Sequence, residues 1–525
     1  MMHIKKKILL FAVFSSLFFL EGCKQNNHSK DTSEETVKIS INGDPQTLDP
    51  RYARTLDTVT ILHMLYEGLM RSDMHGRPIP GIAQSVEVSE DFKTYTFHLR
   101  NSLWSNGDPL TSQDFVETWK DTLNPEILAP NAYQFYLIKG AKAAKEGKIP
   151  FDKTGIKAID PNTLVIELET PAPYFLELMT VHYFYPMHKK FSASNAISNG
   201  PFILDKWQKH HELSVVKNPK YWDAPEVRLN KISMLPLDEH TALRMFDNGE
   251  LEWAGSPMGT IPQDAIQTLK HRHQLHILPA AGTHWFRVNT AQAPFHSVKM
   301  RQAFAYALDR KAIVEHVTQG NQKLATAVVP PLLGLSTTSF FEDHDIPKAW
   351  YSFQEALEEM KISKDELPGI SLCYANNDRN HKIAQAVQQQ WKKALSIDVK
   401  LESCEPQIFF DRLSRHHYQI AIGGWFADFR DPINFLEVFK YKNNSTNNTQ
   451  WENKEYIDLL NRSANETDHA KRFEILKQAE TVLMNDMPVI PMFFGAFNYV
   501  KYDNLYGVYF SDLGYLDFKY AFYGK

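Results

Sequence analysis

Residues 423–429 read Gly-Gly-Trp-Phe-Ala-Asp-Phe. One carboxylate, Asp428, stands in an otherwise apolar and aromatic run. A buried carboxylate without a partner is costly, so Asp428 requires either a helix N-terminus to cap or a basic residue such as Arg430 to pair with. The cap is taken. Asp431 directly precedes Pro432, and an acidic residue followed by Pro at the first helical position is a helix start, here of 432–439. Asp428 lies three residues too early to serve it, so it is left to bind positive charge. The other groups able to do chemistry point less far. His271, His273 and His276 ("HRHQLH") read as a solvated loop between a helix and a strand at 275–278. His210-His211 and His416-His417 are sequence neighbours, which rarely share one ion. No His-Glu-x-x-His, Gly-x-Ser-x-Gly, paired-Cys zinc motif or nucleotide-binding glycine loop occurs. No catalytic residue, metal ligand or cofactor is therefore assigned.

The elements that must position Asp428 alternate between strand and helix. Val37, Ile39 and Ile41 alternate with polar residues as in a strand. Strands are expected at 95–100, 164–168 and 231–235. Thr111 and Asp114 form a capping box that opens a helix through Trp119. A helix runs from about His240 to Gly249, and one long helix from Ser297 to Gly320. Between 370 and 422 the pattern is strand 370–375, helix 380–395, strand 397–402, helix 406–414, strand 418–422. Such a β-α-β-α-β unit places part of the sheet in parallel pairing.

The chain has 525 residues, 43% hydrophobic and 23% charged, with a formal charge of −5. This is a globular composition of several domains, and no basic block outside the extreme N-terminus speaks for nucleic acid. That N-terminus reads as a targeting segment. Lys5, Lys6 and Lys7 precede an apolar run, Ile8 to Leu20, of 13 residues, too short for a spanning helix of about 20. The run ends in Leu20-Glu21-Gly22-Cys23, which resembles the lipobox of bacterial lipoproteins, with Glu21 in place of the usual small or apolar residue. The resemblance implies cleavage after Gly22 and lipidation of Cys23, leaving a chain of charge −7. Residues 24–36 are polar and aperiodic, a tether reaching roughly 20 Å. Cys373 and Cys404 are the remaining cysteines; spacing does not decide whether they pair.

Six segments in order carry a wider resemblance: "ISINGDPQTLDPRYA" (39–53), "LYEGLMRSD" (65–73), "YTFHLRNSLWSNGDPLTSQDFVETW" (95–119), "NGPFILDKWQKHHELSVVKNPKYWD" (199–223), "APFHSVKMRQAFAYALDRKAIV" (293–314) and "GGWFADFRDPINFLEVF" (423–439). Together they resemble the extracytoplasmic solute-binding proteins of oligopeptide and dipeptide ABC importers, family 5, nearest the oligopeptide branch. The resemblance implies an α/β fold, the bilobal periplasmic-binding-protein type of class II, with mixed sheets, an extra domain in the first lobe and two hinge crossings. Lobe 1 would comprise 37–66, 188–282 and 495–525, the extra domain 67–187, and lobe 2 283–494. Lobes of this kind close over a ligand.

The resemblance also assigns roles. Asp428 matches the Asp that binds a peptide's α-ammonium, a charge-assisted bond adding roughly 1.5–3 kcal/mol. Trp425, otherwise a core residue, matches a cleft-lining Trp. Gly423 and Gly424 fit a ligand backbone that pairs like an added strand. His284 and Trp285, Asn380 and His381, and Tyr133 of the extra domain are further ligand-binding candidates. Three departures stand out. Ile422 occupies the place of an Arg that meets a ligand carboxylate, and Arg412 or Arg415 are the substitutes at hand. The positions of a disulfide found in some members are Gly282 and Phe426. An acidic hinge residue of some members is Arg54 here. The reading is thus a non-enzymatic, monomeric, lipid-anchored receptor outside the cytoplasm that delivers peptides to a permease with its ATPase subunits. Its rivals are the same scaffold with another ligand (a dipeptide, a glutathione-like peptide, a nickel chelate or haem) and a surface hydrolase or adhesin.

Overall fold

Runs of β-branched and aromatic residues build one eleven-stranded mixed sheet, which carries the 423–429 stretch. Its strands are β1 (Thr36–Ile41), β2 (Phe202–Gln208), β3 (Glu212–Lys217), β4 (Lys231–Pro236), β5 (Trp253–Gly255), β6 (His276–Val288), β7 (Ile370–Ala375), β8 (Val399–Cys404), β9 (Ile420–Phe426) and β10 (Val489–Lys501). The spatial order is β2-β3-β4-β1-β5-β10-β6-β9-β7-β8, with Lys323–Leu324 a short further strand beside β10. The computed structural model describes residues 36–53, 55–192, 196–335, 339–444 and 446–524. The N-terminal apolar run, Cys23, the polar segment up to residue 35, and Arg54 lie outside the described residues. Among the described residues no helix is long and apolar enough to cross a membrane.

Two regions of parallel pairing sit at opposite sides of the antiparallel centre. β1 runs parallel to β4 and β5, and β7 parallel to β8 and β9. The second region is the β-α-β-α-β unit legible in the sequence. Six of the helices are α1 (Ser112–Leu123), α2 (Val298–Tyr306), α3 (Asp378–Leu395), α4 (Pro406–Ser414), α5 (Ile433–Leu436) and α6 (His469–Asp486). Asn377 caps α3 through the Asn380 N–H at 2.8 Å, and Pro406 opens α4 at its first position. A separate antiparallel sheet, in the order Ala83–Val88, Thr94–Leu99, Thr163–Glu167, Ile156–Asp160, packs with α1. The Thr111–Asp114 capping box is formed there, and Trp119 is fully buried among Phe115, Phe135 and Phe184.

One expectation fails. The helix from Ser297 does not run unbroken to Gly320. α2 ends at Tyr306, Asp309 caps a new turn through the Ala312 N–H at 2.8 Å, and 313–318 is π-helical. The reason is Arg310. Its guanidinium is fully buried, donating to Pro491 O and Ala305 O and pairing with Asp343 at 3.0 Å. The backbone must turn to deliver it, and Asp309 offers the local cap that makes the turn stable.

β6 and β10 have 13 residues each and are the longest strands. Their ladder runs from His276↔Tyr499 to Pro279↔Ala496, then resumes at Thr283↔Phe494. β6 therefore carries two extra residues near Ala280–Gly282, a bulge that redirects the strand. The end of the 423–429 stretch lies against it: the Ala427 N–H donates to Ala281 O at 2.8 Å.

The Cys373 and Cys404 thiols are free, with sulfurs 3.6 Å apart on neighbouring strands. Burial, helped by the Cys404 contact, pushes the Cys373 thiol up to about 12. Cys373 therefore does not attack readily at neutral pH, yet a bond of about 2.0 Å needs only a small approach. A catalytic oxidant such as copper phenanthroline is expected to close the pair. Thiol counting on the denatured chain from residue 24 onward should then fall from two to none; two remaining thiols would show that the strand frame holds them apart.

Candidate functional site: a carboxylate recess beside an open sheet edge

Along one edge β9 pairs with β6 over its full length, from Val288↔Ile420 to Gly282↔Phe426. Along the other edge it meets β7 only at Ile420 and Ala421. From Ile422 to Phe426 this far edge has no strand partner among the described residues. Such an edge presents N–H and C=O groups to any extended chain laid beside it.

Asp428 follows the end of that edge. Its backbone is held on two sides: Tyr515 Oη donates to Asp428 O at 2.5 Å, and the Asp428 N–H donates to Asn434 Oδ1 at 3.2 Å. The same Asn434 oxygen accepts Trp425 Nε1–H at 2.8 Å, so one amide on α5 fixes both Trp425 and Asp428. The carboxylate keeps a narrow contact with solvent, and among the described residues no cation lies within ion-pair distance of it. Arg430, the nearest candidate in sequence, instead pairs with Asp512 at 2.6 Å. Burial pushes the Asp428 carboxyl up to about 6, with the Asn434 amide partly offsetting it. Tyr133, Tyr183 and Tyr515 surround it. Burial raises each phenol, and the Asp428 charge is the next cause in all three. Asp431 does what the sequence assigned to it: Oδ1 accepts the Ile433 N–H at 2.9 Å. It also makes a buried bidentate pair with Arg472 of α6, at 2.7 and 2.8 Å.

The structure thus brings Asp428, Trp425 and Tyr133 together and distributes the other candidates. The glycines need correction. A Cβ on Gly423 would collide with the Arg287 guanidinium, and one on Gly424 would lie 2.7 Å from Thr283 O. Their missing side chains make room for β6, not for a ligand backbone; what they leave to a ligand is the unpaired edge. Trp285 is a second correction. It is 1% exposed, edge-on to Phe435 and tilted against Phe439 in the core, because it faces the side of β6 that the helices of 433–439 cover. His284, on the opposite face, packs on Phe426 and Phe493 and lies 3.5 Å from Arg379 Nη2. Asn380 spends its amide on Ala375 O, and the His381 ring meets Tyr374 Oη at 2.8 Å. No contact among the described residues joins either to the Asp428 recess.

The departures also resolve. Ile422 is buried in the main core. Arg412 pairs with Glu402 at 2.6 Å and Arg415 with Asp411 at 2.9 Å, so both serve the surroundings of α4 and neither replaces a cation at residue 422. Gly282 and Phe426 are directly paired, and the Phe426 ring fills the space of a residue-282 side chain. Sequence reasoning missed Asn434, Tyr183, Tyr515, Arg287 and Arg379. Asn434 alone left a local signal, a lone amide in "PINFL". The others come from distant segments and were not legible.

Comparison with known proteins bears on all of this. Residues 77–447 match the model of bacterial extracellular solute-binding proteins, family 5 Middle. The oligopeptide-binding protein OppA of Bacillus subtilis is 40% identical over 98% of both chains. The dipeptide-binding protein DppE of the same organism is 33% identical over 96% of both. The solved structure of Haemophilus influenzae OppA in complex with RPPGFSPFR superposes with a TM-score of 0.81 at 27% identity, covering 94% of this chain and 99% of that one. A mixed sheet crossed by two long strands, an unpaired edge and a full-length match to these relatives agree, and the chain belongs to family 5 of the bacterial extracellular solute-binding proteins.

Proposed function

We propose that this chain is an oligopeptide receptor of an ABC importer, held outside the cytoplasm by a lipid on Cys23. One observation carries the peptide reading: a buried carboxylate follows a strand edge, and among the described residues the carboxylate has no cation and the edge no strand partner. A free peptide supplies both missing partners, an α-ammonium for Asp428 and a main chain for the edge at 422–426. Every unblocked peptide carries these groups, so one site serves many sequences. Trp425 and Tyr133 flank the ammonium. The names of the B. subtilis and H. influenzae relatives, and the peptide held by the latter, support the same reading. Division into lobe 1, extra domain and lobe 2 at the boundaries given above, with β6 and β10 as the crossings, allows closure over the ligand. The chain acts as a monomer without catalysis or cofactor and hands its peptide to permease subunits.

The test is to purify the chain from residue 24 onward without denaturation and identify the ligand it carries by mass spectrometry. Mixed short peptides are the expected result. A single nickel chelate or haem overturns the peptide reading, and shortened products on long incubation with peptides mark a hydrolase. For the anchor, Cys23→Ser in the full chain is expected to abolish incorporation of labelled fatty acid and shift the protein from the membrane to the soluble fraction. Unchanged labelling would remove Cys23 from the proposal.

A further inference from the structure

Asp428 is not the only charge left over beside β9. Arg287 of β6 is enclosed, and among the described residues no carboxylate stands within ion-pair distance of its guanidinium. Burial depresses its pKa, and the Tyr418 phenol partly offsets this. Among the described residues its guanidinium makes one hydrogen bond, from Nη2 to Gly424 O at 3.1 Å. Among the described residues Nε and Nη1 have no hydrogen-bond partner, and they are not among the sealed, unsatisfied polar atoms of the interior. Arg287 as a whole is half-buried, so part of the residue reaches solvent. The seat is built for this side chain, since the guanidinium fills the volume a residue-423 side chain would take. Along β9, positions 423 and 425 share a face. Arg287 therefore presents its open N–H groups next to Trp425, on the strand that leads to Asp428.

We infer that Arg287 receives a carboxylate of the bound ligand and makes this receptor select peptides bearing negative charge near their N-terminus. The inference rests on the peptide reading above. A desolvated guanidinium with free donors gains most from an anion able to accept two parallel bonds. The five residue steps from Gly423 to Asp428 span at most about 17 Å. A peptide anchored by its ammonium at Asp428 thus brings its first four or five residues within reach of Arg287. The carboxylate is either an acidic side chain in that stretch or the chain end of a short peptide. The charge that Ile422 does not supply along β9 is here supplied from β6.

Calorimetry with defined tetrapeptides separates the outcomes. The probes are tetra-alanine amide, the same amide with Glu at the second, third or fourth position, and tetra-alanine with a free C-terminus. At least one anionic probe should bind the wild type tenfold or more tighter than the neutral amide, and which one does so identifies the source of the carboxylate. In Arg287→Gln this ratio should fall to near one, while Arg287→Lys keeps part of it. Gly423→Ala, which expels the guanidinium from its seat, provides an independent variant should Arg287→Gln not fold. Equal affinity of the wild type for all probes overturns the role of Arg287 and leaves the peptide reading intact. Binding of none of them overturns both.

Discussion

Asp428→Asn is expected to weaken peptide binding at least about tenfold at neutral pH and, at the same pH, to make the ligand-free protein more stable. Both follow from one geometry. In the free protein the carboxylate is enclosed by Tyr133, Tyr183, Tyr515 and the Asn434 amide, with no cation among the described residues, and its pKa is raised from 3.8 to about 6. A carboxyl whose folded pKa is raised favours the folded state when protonated. That contribution is complete below the ordinary pKa near 4 and is lost as pH rises through about 6. At higher pH the ionised carboxylate costs the fold on the order of 2–3 kcal/mol, and Asn removes this cost. Thermal melts of the two ligand-free proteins should differ at about pH 8 and converge at about pH 4. Peptide binding reverses the balance, because the ammonium favours the ionised form. Wild-type affinity should therefore fall below about pH 6, by up to tenfold per unit, as binding comes to require loss of a proton. The Asn variant should show no such limb. Normal affinity in the variant, or a lower melting point at high pH, would return Asp428 to a structural role.

Asp431→Asn should lower the stability instead of raising it, although it lies only three residues away. Asp431 and the Arg472 side chain are 6% and 2–3% exposed and joined by two bonds. Arg472 also lies over the Tyr174 ring at 5.1 Å, and that ring stacks on Phe429. Neutralising Asp431 strands a buried guanidinium, a cost of about 3–5 kcal/mol, and weakens the Ile433 contact that starts α5. Urea denaturation is the measurement. A loss under about 1 kcal/mol would mean that water reaches Arg472 and the pair is effectively solvent-exposed. Asp431→Leu combined with Arg472→Met should recover much of the loss, because a buried ion pair replaced by apolar residues of similar volume often costs little. Since α5 holds Asn434, the single Asp431 variant should also loosen the Asp428 recess, and peptide affinity should fall along with stability.

Much of the fold and part of the site were open to direct reading. The unit from 370 to 422 was legible because each strand and helix there carries its own period and its own caps, Asn377 for α3 and Pro406 for α4, whereas the run of β9 on to Phe426 was not read as strand. The break at 307–309 was not legible, because it serves a guanidinium that bonds to Pro491 and Asp343, far along the chain. Gly423 and Gly424 were legible as positions where a side chain is missing. What fills the missing volume was not, since Arg287 reaches Gly423 only through the β6–β9 register. Trp285 and His284 are adjacent, yet the alternation of a strand sends one into the core and leaves the other beside Arg379.

The sequence by itself determined that Asp428 and Asp431 have different work. A Pro one residue on and an apolar helix after it make Asp431 a cap, and capping depends on neighbours within a few positions. Only the tertiary structure decided that Asp428 meets no cation among the described residues, that three tyrosines and Asn434 enclose it, and that the strand before it has an open edge. Those properties are set by which distant segments come together and by which partner strand stops short. β7 pairs with β9 for two residues and then diverges, and no local period records where a neighbouring strand ends.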